Sequence, residues 1–386
     1  QLRSIVAGEI NSALSQLKPM ADRPSDDQLI FVLDYATALQ YANQIPESNR
    51  YFMLADRLAE QQDYHSVTKV AGSMLLNEEM IQYKGDTFEK MFINAFLAIN
   101  FLKQKDFESA LVEVRRMNEK YNKYRLDEKK NFEVNPFSRY LAALIYEATR
   151  NWDDAYIAFQ ETYKIDPTIP NLREDLIRSS FLARRPDDHA RWRKTFPEVQ
   201  FEPEKNRSKK GEVILLYLSG WGPRKEPDPV DPLFPILRPV FNITQSAGMI
   251  VNGELKDRTT LVYDTQAAAI QTLAADRPAL IARRIAARLA REAAAREISK
   301  SDDKNGGLLG AVAFIGMQLT ERADLRQWSF LPASIQVARV SLEPGEYDMT
   351  VLGYDSSGSP SGERSEAQRL KVVGGQTQFL IWRSVK

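Results

Sequence analysis

"NWDDAYIAFQETYKIDP", residues 151–167, sets a small alanine and large aromatics at helical spacing and stops at Asp166-Pro167. Ala155, Phe159 and Thr162 fall at i, i+4 and i+7, along one face of a helix. Pro167 cannot continue it, because proline lacks the N–H and its ring collides with the preceding turn. Just upstream, "SRYLAALIYEATR" (138–150) puts Ala142, Ala143 and Tyr146 on one face, and Asn151 stands where a helix cap would. The spacing predicts two antiparallel helices joined by a short turn.

The pattern returns earlier in the chain. "FINAFLAINFLKQKDFESALVEVRRMN" (92–118) offers Leu97, Ala98 and Phe101, then Ala110, Val114 and Met117. "DYATALQYANQIPESNRYFMLADRLAE" (34–60) offers Tyr35, Ala36 and Leu39, then Phe52 and Ala55. These segments resemble the tetratricopeptide repeat, which wants small residues where two helices cross, an aromatic ending the first helix, and proline at the close. Ala143, Tyr146, Ala155, Phe159 and Pro167 fit; Arg139 replaces the usual tryptophan and Thr162 the usual alanine. Ala110 and Ala155 are 45 apart, beyond a regular 34-residue period, with the excess in "YNKYRLDEKKNFEV" (121–134). The array is irregular, and its alanine and aromatic stripes read as core.

Beyond position 197 the helical period ends. The expected organisation is an α-solenoid over 1–197, a polar linker over 198–211 that includes Arg207, Lys209 and Lys210, and a mixed α/β domain over 212–386. "EVILLYLSG" (212–220) reads as a buried strand. "GWGPRKEPDPVDPLFP" (220–235) is too proline-rich for helix or central strand and reads as a stiff loop carrying Glu226, Asp228 and Asp231. "PILRPVFNI" and "ELKDRTTLVYD" read as strands. The alanine-rich stretch 264–300 reads as helix with a break near Asp276, ahead of Pro278. There Ile281, Ile285 and Leu289 make an apolar stripe, and Arg284, Arg288 and Arg291 a basic one, partly neutralised by Glu292. Such a helix either packs on a sheet with its basic face in water or lies on anionic lipid; packing is the leading expectation. "LLGAVAFIGMQL" (308–319) reads as a packed helix or an assembly surface, after the turn at Asn305-Gly306-Gly307. The tail offers four strands in two hairpins, around Glu343-Pro344-Gly345 and Gly374-Gly375. They predict a small, largely antiparallel sheet covered by the alanine-rich helices.

Composition narrows the chemistry. Lys+Arg and Asp+Glu are both 52 in 386 residues, so the cationic excess of a general nucleic-acid binder is missing. With no cysteine, this chain offers no disulfide, thiolate or cysteine–metal site. His65 and His189 belong to no metal or catalytic motif, and "GSPSG" (358–362) has proline where a nucleophile elbow needs serine. No cofactor, metal or catalytic residue is expected. The chain begins at Gln1, which reads as a processed form.

"NPFSRYLAALIYEATRNWDDAYIAFQETY" and "LTERADLRQWSFLPASIQVARVSLEPGEYDMTVLGYD", with the 88–120 segment, resemble a family of bacterial envelope proteins. The family joins tetratricopeptide-like helices to a C-terminal α/β region. The resemblance implies a periplasm-facing lipoprotein anchored in the outer membrane through a lipidated cysteine upstream of Gln1. It supplies no catalytic residues. The leading expectation is a non-enzymatic scaffold within a larger secretion, motility or surface assembly, with another envelope lipoprotein or a penicillin-binding protein as its protein partner and homo-oligomers among the expected assemblies. Groove residues Asn94 and Arg139, with Trp221, Arg284, Arg288 and Arg291, are the candidate protein-binding positions. The rivals are a regulator of peptidoglycan synthesis that contacts a synthase or its activator, and a glycan- or metal-binding enzyme acting through the 220–235 loop.

Overall fold

The computed structural model describes residues 9–68, 83–127, 135–201, 209–300 and 322–386. The sequence expectations for 128–134, Arg207, 305–307 and 308–319 lie outside the described residues.

Among the described residues, helix α1 (Ile10–Asp22) is followed by four antiparallel pairs. These are α2 (Gln28–Tyr41) with α3 (Ile45–Thr68), α4 (Thr87–Lys103) with α5 (Phe107–Asp127), α6 (Pro136–Ala148) with α7 (Trp152–Ile165), and α8 (Leu172–Leu182) with α9 (Pro186–Thr195). The same turn joins every pair. Asn43, Lys105, Arg150 and Arg184 all adopt left-handed backbone, with φ of 59°, 60°, 62° and 56°. The next residue in each case donates its N–H five residues back: Gln44 to Leu39 O, Asp106 to Phe101 O, Asn151 to Tyr146 O and Arg185 to Ser180 O, at 2.8–3.0 Å. This is the Schellman arrangement, which satisfies carbonyls left open at a helix end.

The four turns give the repeat its true frame. They lie 62, 45 and 34 residues apart. Ala36, Ala98 and Ala143 each stand seven residues before a turn, and Phe52, Val114 and Phe159 nine after; all six are buried. Asn151 occupies the cap position of α7, but its side chain donates to Thr149 Oγ1 at 3.4 Å and caps nothing.

The second half is a two-sheet sandwich. The first sheet runs β11 (Thr377–Arg383), β1 (Gly211–Ser219), β7 (Ser334–Leu342), β6 (Thr260–Tyr263). The second runs β10 (Gln368–Val372), β8 (Gly345–Tyr354), β4 (Ser246–Val251), β5 (Glu254–Arg258), with β9 (Pro360–Arg364) also on β8. Strand β1 pairs parallel with β11 and antiparallel with β7, so Leu215 lies between Leu380 and Ala338. Its side chains alternate between two cores. Ile214, Leu216 and Leu218 pack with the helices, while Val213, Leu215 and Tyr217 pack on the second sheet. A strand covered on both faces reads as a continuous apolar run.

Several expectations are corrected here. Strands β7 and β8 flank Glu343-Pro344 but belong to different sheets, as do β10 and β11 around Gly374-Gly375. Those turns are crossovers between layers, so neither expected hairpin forms. The first sheet is covered mainly by the helix pairs, with α4 against β11 and α6 against β6; the alanine-rich segment meets it only near its start, at β7. That segment is one helix, α10 (Thr265–Lys300), running through Pro278 without the expected break. A proline inside a helix costs about 3 kcal/mol, which the high propensity of the surrounding alanines offsets in part. The proline-rich loop contains a short ribbon, β2 (Arg224–Pro227) with β3 (Pro235–Arg238), in which Pro227 and Pro235 face each other at the end of pairing.

Buried charges tie the halves together. Arg339 of β7 donates to Glu147 of α6 at 2.8 Å and to Glu212 of β1 at 3.1 Å. Arg178 of α8 holds Glu147 at 2.5 Å and also pairs with Asp175, which accepts from Tyr140 at 2.8 Å. Burial alone would raise the Glu147 carboxyl; the two guanidiniums hold it well below the usual carboxylate range. Removing Arg339 takes one of the two guanidiniums from the buried Glu147 and leaves the cluster with an excess of negative charge. Arg339→Met is expected to destabilise the protein by about 3–5 kcal/mol, read as a lowered denaturant midpoint. The turn geometry makes the opposite prediction at an exposed position. Lys105→Gly relieves the left-handed strain and should raise stability by about 0.5–1 kcal/mol in the same assay.

Candidate functional site

The first helices of the four pairs, α2, α4, α6 and α8, present one wall, the surface expected to hold a partner. In the structure this wall is occupied by the protein's own second half. At its N-terminal end sits the irregular segment 323–331, which leads into β7.

Trp328 is the anchor. It is fully buried among α2–α4, with its ring 5.1 Å from Phe96 and 5.9 Å from Phe52. Its indole Nε1 donates to Thr37 Oγ1 at 3.0 Å, so the polar edge of the ring is satisfied as well. The main chain is held by carboxylates: Trp328 N–H donates to Glu89 Oε1 at 2.6 Å, and Ser329 N–H to Asp34 Oδ1 at 3.0 Å. Arg326 donates to Asp27 at 2.9 Å. Lys225 closes the other side, pairing with Asp86 at 2.7 Å and donating to Arg326 O at 2.9 Å.

The two clamping carboxyls are far from ordinary. Burial pushes Asp34 up to about 8, against the lowering pull of the Ser329 N–H and the Arg224 charge. Burial, then the neighbouring Asp86 charge, raises Glu89 to about 7, with Lys225 and Tyr83 opposing. Tyr83 also donates to the Glu89 carboxyl from its hydroxyl. A carboxyl whose folded value is raised binds its proton more tightly folded than unfolded. The associated stability is whole below the unfolded values near 4 and is lost as pH climbs through 7 to 8.

The positions singled out from sequence fall elsewhere. Asn94, expected to be exposed in the groove, is 0% exposed and donates to Glu113 Oε2 at 2.7 Å. It stands eleven residues before the Lys105 turn, a place that faces the second helix of its own pair. Arg139 holds the equivalent place before Arg150, and its half-buried side chain meets Glu161 of α7 at 3.3 Å. Trp221 is buried, donating to Val385 O at 2.8 Å under the Arg383 guanidinium. It is core, not surface. The side chains of Arg284, Arg288 and Arg291, and that of His65, lie outside the described residues, although the backbone there is helical. His189 packs against Phe181 and Phe201.

The carboxylates of the 220–235 loop are each engaged separately. Glu226 pairs with Arg238 at 2.8 Å and Asp228 with Arg277 at 2.5 Å. Asp231 accepts from Leu233 N–H at 3.3 Å. They do not form the single acidic edge that a metal reading requires.

No protein-family model matches the chain, and no curated protein matches it. Solved structures do. "MamA 41-end from Desulfovibrio magneticus RS-1" is 16% identical, with a TM-score of 0.33 over 51% of this chain and 86% of that one. The TPR-like repeats of a putative kinesin light chain from Podosopora anserina are 12% identical, with a TM-score of 0.36 over 51% of this chain and 89% of that one. The tetratricopeptide-like character of the first half stands on its four equivalent turns and the residues registered to them.

The clamp yields a pH prediction. From about pH 5 to about pH 8 the denaturant midpoint should fall, as the unfolded state keeps both carboxyls ionised while the fold resists ionising them. Asp34→Asn should flatten that decline; an unchanged slope would remove Asp34 from the account.

Proposed function

We propose that this chain is a non-enzymatic protein-interaction scaffold of the bacterial cell envelope. One observation carries the scaffold reading: four like helix pairs, each closed by the same left-handed turn, build a continuous helical wall. Stacked pairs are an architecture for presenting surface, since each unit adds an outer helix to its neighbours' row. Here the inner side is used up by the protein's own sandwich, so partner contact falls to the outer helices. Met53 on α3, Val112 on α5 and Ile157 on α7 are each about two-fifths exposed. Val112 and Ile157 both stand seven residues after a turn, so the repeat carries them at equivalent places. The envelope placement, an outer-membrane lipid anchor, and a partner that is an envelope lipoprotein or a penicillin-binding protein come from the family resemblance described above.

Proximity labelling from a fusion in living cells tests both parts. The expected outcome is a small set of enriched periplasm-facing envelope proteins, depleted severalfold by Val112→Asp with Ile157→Asp at unchanged folding. Labelling confined to cytoplasmic proteins would remove the envelope placement. A neighbour set indifferent to both substitutions would remove the outer-helix surface.

A further inference from the structure

The alanine-rich helix α10 has a face whose cover runs out. Near its start it packs on β3, Gln266 accepts from Val240 N–H at 2.9 Å, and Arg277 pairs with Asp228 at 2.5 Å. Asp228 opens the tip of the β2–β3 ribbon, where Val230 is 89% exposed. Positions 266 and 277 lie eleven apart on one line of the helix, and 281, 285 and 289, four apart, turn gradually away from it. The ribbon meets that line as far as Arg277. Beyond it Ile281, Ile285 and Leu289 are 39%, 57% and 60% exposed. The leading sequence expectation, a helix packed on a sheet with only its basic face in water, is overturned for this part of α10.

We infer that this part of α10 lies on an anionic phospholipid surface. Charge selects the occupant. Residues 280–300 carry five arginines, at 283, 284, 288, 291 and 296, and Lys300, against Glu292 and Glu297, an excess of positive charge. Positions 284 and 288 each stand three residues after a member of the apolar row, at 281 and 285, so a basic row borders it. A second copy laid on this face would set like charge against like charge. An anionic bilayer accepts the arginines at its headgroups and the isoleucines and leucine below them, which is how a basic amphipathic helix sits at an interface. The inference is independent of the scaffold reading, since purified protein and lipid alone test it.

The experiment is flotation of the purified protein with vesicles of phosphatidylglycerol and phosphatidylcholine in equal parts, against pure phosphatidylcholine. Recovery on the anionic vesicles should be higher by about tenfold or more and should fall with added salt. Ile285→Ser with Leu289→Ser should bring it to the neutral-vesicle level, and Arg284→Gln with Arg288→Gln should lower it severalfold, each with an unchanged thermal transition. Should a variant lose its fold, Leu289→Trp gives a second readout: its emission should shift to the blue on anionic vesicles only. Equal recovery on both vesicles, full flotation of the serine variant, or an unshifted emission spectrum of the Leu289→Trp variant would overturn the inference. So would a lipid-free dimer that the serine substitutions dissociate, which would assign the face to a second copy.

Discussion

Two-sided burial of strand β1 is the constraint from which the architecture follows. Ile214, Leu216 and Leu218 face the helices, and Val213, Leu215 and Tyr217 face the second sheet. Each such side chain contributes about 1.5–3 kcal/mol when removed from water. Neither the helical wall nor the second sheet can be peeled away without exposing half of that strand. The chain reads as two domains from the end of its helical period near 197, and one apolar cluster runs from Ala13 in α1 through Trp328 to Val385.

Apolar packing alone would let the wall slide over the sheet, and the polar contacts resist this. Arg339 meets carboxylates of α6 and β1 together. Asn171, preceding α8, donates to Val337 O at 3.3 Å and accepts from Thr260 at 2.9 Å. A one-residue slip would strand these groups without partners in a region poor in water, at about 1–3 kcal/mol each and more for charges. Trp328 and the carboxylates around it do the same at the other end of the wall. Together they set the relative position of two layers that hydrophobicity only presses together.

Much of the helical half is legible in sequence because its signal is local. Ala36, Ala98 and Ala143, and Leu39, Phe101 and Tyr146, stand out by spacing and sit at matching distances from their turns. The turns themselves are hidden: Asn43, Lys105, Arg150 and Arg184 adopt a backbone that glycine usually fills, and no common residue type marks them. Strand β1 is legible from its unbroken apolar run. The sandwich is not, because Pro344 and Gly374-Gly375 look the same in sequence whether the chain reverses within a sheet or crosses between two. Asn252-Gly253, both at positive φ, form the hairpin between β4 and β5 and carry the strongest short signal for such a turn, which the sequence expectations above leave unused. The occupied wall cannot be inferred locally, since Trp328 meets Thr37 across 291 residues of chain.

That long reach has a price in time. Helix α4 is complete by Lys103, whereas the strands that cover it run from Gly211 to Leu342 and beyond. At ordinary translation speeds the interval is roughly ten to fifty seconds. Until those strands are made, the sides of α2 and α4 that hold Trp328 have no cover from them. Chaperones that shield nascent chains should therefore engage this protein early and at α2 and α4, and let go only when β7 arrives to take their place.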